Sequence, residues 1–235
     1  MAKPITILST GGLSPAFLTL DPEQVQLDII PFIQVIPKQD NQLREKINEL
    51  SAAHHISIFT SGNAVDAVRA MLTRRPDWKI YCIGHETRKK VVAFFGEQSL
   101  LGSEPDAIRL AERIIRDQPS EQLLFFCGDR RREELPEALR KNKIPIEEII
   151  VYETRLKPVP VSRFYDAILF FSPSAVASFF SLNRIPKETV LFALGSTTAA
   201  ELKRQTNNEV ILSVKPDKRS VLETAIDYYQ SHLTA

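Results

Sequence analysis

Six short stretches of small polar residues carry the chemistry this sequence offers. They are Ser9-Thr10-Gly11-Gly12, Thr60-Ser61-Gly62-Asn63, Gly84-His85-Glu86-Thr87, Gly128-Asp129-Arg130, Ser172-Pro173-Ser174 and Gly195-Ser196-Thr197-Thr198. Each follows an apolar run and precedes an amphipathic segment. Hydroxyls and unbonded backbone N–H groups at a helix start favour an anion, through hydrogen bonding and the helix dipole. Any one of these stretches alone reads as an N-cap, because Ser, Thr, Asn and Asp are preferred there. Six of them on two facing domains would line a cleft for a ligand with many negative groups. The run Arg130-Arg131-Arg132 follows a strand-end glycine, where positive charge opposes the dipole, so it points the same way.

Other chemistries find no support. There is no GxGxxG, GxxxxGK[ST] or GxSxG pattern. His54, His55, His85 and His232 have no metal-ligand spacing to a cysteine or to one another, so no metal is expected. The carboxylate pairs Glu133-Glu134 and Glu147-Glu148 read as solvated faces.

The elements that must position the polar turns follow from periodicity. Residues 5–10, 28–36, 56–61, 79–84, 122–128, 148–153, 167–172, 190–195 and 209–214 read as strands. Most are continuous apolar runs, which suits parallel strands covered on both faces. Helical patterns fall at 41–51, 62–74, 85–95, 105–117, 131–142, 174–182, 197–206 and 218–231. Strand and helix in alternation predict an α/β fold with right-handed crossovers.

The sequence also repeats itself. FTSGNAV (59–65) matches FFSPSAV (170–176), and IGHETRK (83–89) matches LGSTTAA (194–200). Ser61 aligns with Ser172, Gly84 with Gly195 and Thr87 with Thr198, all at an offset of 111 residues. A second correspondence joins 122–153 to 5–33, but in the opposite order along the chain. The arrangement that satisfies both is a discontinuous domain, 1–33 with 162–235, and an inserted domain of the same fold at 40–150. Two proline-bearing connectors, 34–39 and 151–161, would link them as a two-stranded hinge. A cleft open without ligand and closed on product is the expectation.

Composition bounds the rest. Hydrophobic residues make up 43% and charged residues 25%, which is ordinary for a globular chain of 235 residues. The 30 Lys+Arg against 29 Asp+Glu leave a net charge of +1, too little to draw nucleic acid or a membrane surface. No run approaches a membrane span, and the start MAKPITILSTGG lacks a signal-peptide pattern, so a cytoplasmic place is expected. Cys82 and Cys127 lie in apolar runs and read as buried, reduced strand residues.

The segments FTSGNAV, IGHETRK, GDRRREELPEALRKNKIPIEEIIVYET, ILFFSPSAVASFF and ALGSTTAAEL resemble the uroporphyrinogen-III synthase family, in register from about residue 56 to 206. The resemblance implies two similar flavodoxin-like domains, the first discontinuous, joined by a two-stranded linker. It implies a monomeric, cofactor-free enzyme that converts hydroxymethylbilane to uroporphyrinogen III, with inversion of ring D and loss of water. The substrate is a linear tetrapyrrole with eight carboxylates, which accounts for many polar turns. A transient contact with hydroxymethylbilane synthase, the source of that substrate, is also expected.

Residue by residue, the resemblance puts Tyr152 in VYET at the family's catalytic tyrosine, as a proton donor to the departing hydroxide. Without it, Tyr152 reads as a strand-end aromatic packing at the hinge. Tyr81, Tyr165, Tyr228 and Tyr229 have no comparable role. The implied substrate-binding positions are Thr10, Gly11, Thr60, Ser61, Gly62, Asn63, Gly84, Thr87, Gly128, Arg130, Ser172, Pro173, Ser174, Gly195, Ser196, Thr197 and Thr198. The chain departs from the family pattern in three places. Ser9-Thr10-Gly11 lacks the usual first-strand arginine, with Arg130 and Lys215 as candidate replacements; Arg88 stands where alanine is usual; and SPAFLTLDPEQVQL (14–27) is short and weakly helical. The alternative reading is a non-catalytic module or sensor that binds a polyanion on the same fold.

Overall fold

The computed structural model describes residues 3–13 and 21–233; residues 14–20 of the weakly helical segment and the His232 side chain lie outside the described part. The chain divides into two compact units, Met1–Gln34 with Arg155–Ala235, and Val35–Thr154.

The first unit holds β1 (Ile5–Ser9), β2 (Val25–Ile29), β9 (Ala167–Phe170), β10 (Val190–Ala193) and β11 (Val210–Leu212). They form one parallel sheet in the order β11-β10-β9-β1-β2. In chain order within the unit this is 2-1-3-4-5, the flavodoxin-like arrangement. Side chains alternate between two covered faces. Ile168 and Phe170 pack under α6 (Pro173–Phe180) and α7 (Ser196–Gln205). Ala167 and Leu169 pack under α8 (Lys218–Leu233). Burial on both faces is why these strands read as unbroken apolar runs.

The second unit holds β4 (Ile56–Phe59), β5 (Lys79–Ile83), β6 (Leu100–Glu104), β7 (Leu123–Gly128) and β8 (Ile146–Leu156), with β8 reaching past the unit boundary. These five are parallel in the order β8-β7-β4-β5-β6, and β3 (Ile33–Pro37) adds an edge beside β8. Leu124 and Phe126 face α1 (Asn41–Leu50) and α2 (Gly62–Met71). Trp78 and Phe59 both stack on Phe126 there, with ring centroids 5.3 Å apart. Leu123, Phe125 and Cys127 face α4 (Ala107–Asp117) and α5 (Glu134–Lys141). Each fully buried side chain of this size contributes roughly 1.5–3 kcal/mol. α3 (His85–Phe95) follows β5.

The repeat offset has a topological counterpart. β4 and β9 occupy the same place in their sheets, as do β5 and β10, and β7–β8 occupy the place of β1–β2. The two sheets are one strand order with the chain cut at different points. β3 and β8 run antiparallel: the Lys38 N–H donates to the Val151 carbonyl at 2.9 Å, and the Lys157 N–H to the Phe32 carbonyl at 2.9 Å.

Three expectations need correction. Residues 28–36 are not one strand. Pro31, which has no N–H to give a ladder, separates β2 from β3, and the two belong to different sheets. The strand β6 is not marked by the sequence. Its LLGSE composition hides it, and Gly102 is there because the Tyr81 ring leaves 3.3 Å to any β-carbon. Glu148 is not on a solvated face. Its side chain is 17% exposed and pairs with Arg131 and Arg140.

Candidate functional site

In a parallel sheet all strands end at one edge. In the first unit that rim carries Thr10 and Gly11 after β1, residues 172–174 after β9 and residues 195–198 after β10. In the second it carries residues 60–63 after β4, Gly84 and Thr87 at β5, and Gly128 and Arg130 at β7. The strand order reverses between β1 and β9, and between β7 and β4, which are the places where open α/β sheets bind ligands.

Several of these polar groups serve the fold. The Thr10 hydroxyl is buried and donates to the Leu169 carbonyl at 2.7 Å. Ser61 caps α2, its Oγ accepting from the Asn63 N–H at 3.1 Å, and Ser172 caps α6 by accepting from the Ala175 N–H at 3.2 Å. Pro173 sits in the first turn of α6, where a missing N–H is harmless. Thr87 and Thr198 are buried at equivalent positions of the repeat. The starts of α3 and α7 differ from these. Both begin at glycine, Gly84 and Gly195, with no side-chain cap. Their first-turn N–H groups, at Thr87 and at Ser196, Thr197 and Thr198, are of the kind that holds a carboxylate. The two glycines are not equivalent: Gly84 has φ +73°, which demands glycine, whereas Gly195 is extended at −159°. Thr60 and Gly62 are half-buried, Asn63 is exposed, and Ser174 is half-buried.

Tyr152, Gly128 and Ser61 come together in the second unit. Tyr152 lies opposite Gly128 across the β7–β8 ladder. A β-carbon at Gly128 would overlap the Tyr152 ring and lie 2.8 Å from its hydroxyl. Gly128 is therefore there to admit the ring. The Ser61 side chain lies close enough to the Tyr152 phenol to act on its ionisation. Burial pushes its pKa above the usual tyrosine value; Ser61 pulls it back, while Cys127 and Asp129 push it further up. The phenol is protonated at neutral pH, as a proton donor must be.

The rims carry cations beyond those the sequence suggests. Arg130 uses its Nε on the Thr154 carbonyl at 3.2 Å. Arg131 is answered by Glu148 and Glu133. Lys215 stands after β11. Beside Gly11 and Gly12, where the first-strand arginine is missing, stands Lys218. Its Nζ donates to the Gly12 carbonyl at 2.6 Å and lies 5.1 Å from the centre of the Phe171 ring. In the second unit, Lys90 pairs with Asp66 and lies against Gly62. Neither lysine has a sequence signal, because each gains its place from a partner distant in sequence, Gly12 for Lys218 and Asp66 for Lys90. Among the described residues no three His, Cys, Asp or Glu side chains cluster as a metal site. No described helix is long and apolar enough to cross a membrane.

Two flavodoxin-like units, one split by the other, with polar rims and a half-buried tyrosine define the class. The family profile of uroporphyrinogen-III synthase HemD matches residues 20–223. The uroporphyrinogen-III synthase of Saccharomyces cerevisiae is 26% identical over 246 residues, covering 89% of this chain and 88% of its own. Among solved structures, uroporphyrinogen-III synthetase from Helicobacter pylori superposes with a TM-score of 0.66 at 17% identity, over 95% of this chain and 99% of the other. A mutant uroporphyrinogen III synthase from Thermus thermophilus gives 0.61 at 13%, over 97% and 99%. Those structures show the fold. The chain belongs to the uroporphyrinogen-III synthase HemD family, and its activity is that of the family, a cyclising lyase of haem biosynthesis.

Proposed function

We propose that Tyr152 is the general acid of this reaction and that the polar rims hold the carboxylates of hydroxymethylbilane. The observation that carries the reading is the Tyr152 ring seated over Gly128, at the carboxyl end of β7. The phenol proton passes to the ring A hydroxyl, which leaves as water. Ring D then attacks through its substituted carbon to give a spiro intermediate; the bond from that carbon to its methylene bridge breaks, the methylene rejoins ring D at its unsubstituted carbon, and the proton lost there restores the phenol. Free substrate closes without inversion. The protein's task is therefore to hold one folded conformation, by orientation and differential binding. The uncapped starts of α3 and α7, with Lys218 and Lys90, supply hydrogen bonds and charge for propionate and acetate groups. Thr10, Ser61 and Ser172 act chiefly by shaping the turns.

We place the enzyme in the cytoplasm as a monomer that receives its substrate by transient contact with hydroxymethylbilane synthase. Two buried, unbridged cysteines support a reducing compartment. Sedimentation of the chain, alone and with that synthase, checks the assembly state.

The test is a coupled assay with porphobilinogen and hydroxymethylbilane synthase, followed by oxidation and separation of porphyrin isomers. The expected product is isomer III, falling about 10²–10⁴-fold in rate with Tyr152→Phe. Isomer III undiminished by Tyr152→Phe would demote the tyrosine to packing. Isomer I alone from folded protein would favour a module that only binds.

A further inference from the structure

Along β8 the side chains alternate as far as residue 151. Ile149 and Val151 lie in the core beneath α1 and α2. Glu148 pairs with Arg131 and Arg140, and Ile146 packs in the core beneath α4 and α5, on the opposite face. By this period residue 152 belongs on the Glu148 face. Tyr152 packs instead against the same cluster as Ile149 and Val151. The ladder shows why. Cys127 is opposite Ile150, but the next residue, Gly128, is opposite Tyr152, so Val151 is an extra residue. A β-bulge of this kind shifts the register by one and turns the following side chain to the other face. Ser61, the cap of α2, is on that face. The ring comes to lie over Gly128, on the Ser61 side of the sheet, because of the bulge.

A bulge interrupts its ladder, so something else must fix the strand beyond it. The Val151 carbonyl accepts from the Lys38 N–H of β3. The rest falls to Asp129, the first residue after β7. Its N–H donates to the Tyr152 carbonyl at 3.1 Å, and its carboxylate accepts the Thr154 N–H at 2.8 Å. These two bonds close the strand on both sides of Glu153. The Arg130 side chain adds a third, to the Thr154 carbonyl. The geometry points to Asp129 as a positioning residue for Tyr152: it locks β8 past the bulge and so keeps the phenol ring seated over Gly128. Its catalytic consequence rests on the reading of Tyr152 as the acid.

The test places 3-fluorotyrosine at position 152 of the full chain and reads its ¹⁹F resonance, beside kcat and KM for isomer III. In Asp129→Ala the resonance should move toward that of an exposed phenol, and kcat should fall by about tenfold or more, with KM changed by less than about twofold. Asp129→Asn keeps an acceptor for the Thr154 N–H and should restore both. An unchanged resonance in Asp129→Ala overturns the proposal. So does a rise in KM with kcat intact, which would make Asp129 a substrate contact, and so does Asp129→Asn behaving like Asp129→Ala. The resonance needs no turnover. A moved signal in a chain that makes no isomer III supports the positioning and removes the acid instead. If Asp129→Ala does not fold, Asp129→Glu takes its place. Its carboxylate stands one methylene farther out, and a resonance identical to the parent's then overturns the proposal.

Discussion

Replacing Gly128 by alanine tests the Tyr152 site with a single carbon atom. Gly128 is not among the positive-φ glycines, so its backbone accepts alanine without strain. The whole effect falls on the ring that the new β-carbon would overlap. To reach ordinary carbon–carbon contact the ring must withdraw by about 1 Å. Overpacking of this kind costs about 1–3 kcal/mol. A displacement of about 1 Å in a reacting group costs on the order of 10²-fold in rate. Gly128→Ala should therefore lower the isomer III rate about 100-fold and lower stability by about 1–3 kcal/mol. The double variants separate the two effects. Phenylalanine keeps the ring, so Gly128→Ala should still destabilise Tyr152→Phe, yet change its rate by less than about threefold because the acid is already gone. Tyr152→Ala removes the ring and should make Gly128→Ala nearly neutral in stability. Isomer-resolved rates and urea unfolding read both. A wild-type rate in Gly128→Ala, or losses that multiply in the Tyr152→Phe background, would refute the reasoning.

Lys218→Met keeps the stem on Phe171 and removes the charge, so KM for hydroxymethylbilane should rise about tenfold, with kcat within about twofold; an unchanged KM removes Lys218 from the rim. Burial pushes the Cys127 thiol from its ordinary value near 9 up to about 12. The fold thus favours the neutral thiol, and that stability is whole below about pH 9 and lost as pH climbs toward 12. Urea midpoints should fall less steeply above about pH 9 in Cys127→Ala than in the parent; parallel curves would count against this. Ser57 Oγ is buried in β4 with no hydrogen-bond partner, so Ser57→Ala should be neutral or stabilise by up to about 1 kcal/mol, and a loss of more than that would mean the hydroxyl has a partner.

What could be read from the sequence follows from which interactions are local. Strands buried on both faces leave unbroken apolar runs, and a turn that starts a helix leaves Ser, Thr or Gly at a set distance from it. Both signals sit within about ten residues, so β4 and β9, with Ser61 and Ser172 as caps, are visible in the repeat of 111 residues. The break at Pro31 is equally local and was legible in principle, but the apolar residues on either side of it disguise two strands as one. β6 is a sheet edge with a glycine in its middle, placed by Tyr81 on the neighbouring strand rather than by its own composition. Lys218 has meaning only through a partner 206 residues away, Gly12, and Glu148 only through Arg131 and Arg140 on the segment before its strand.

The bulge at Val151 is the strongest case of this kind. Nothing in IIVYET marks Val151 as extra, since both possible registers of β8 put a β-branched residue in the core. The register is decided across the ladder, where Gly128 alone has room for an aromatic ring and Asp129 alone is placed to accept the Thr154 N–H. A motif such as VYET can therefore mark a tyrosine for chemistry while saying nothing of the face it occupies. The glycine and aspartate that decide the face stand 24 and 25 residues away from the residues they contact, at the end of the preceding strand. In this chain Gly128-Asp129 is accordingly better read as the seat of Tyr152 than as a substrate loop, and the Gly128→Ala and Asp129→Ala phenotypes should share a signature: a lower kcat, an altered phenol environment and little change in KM.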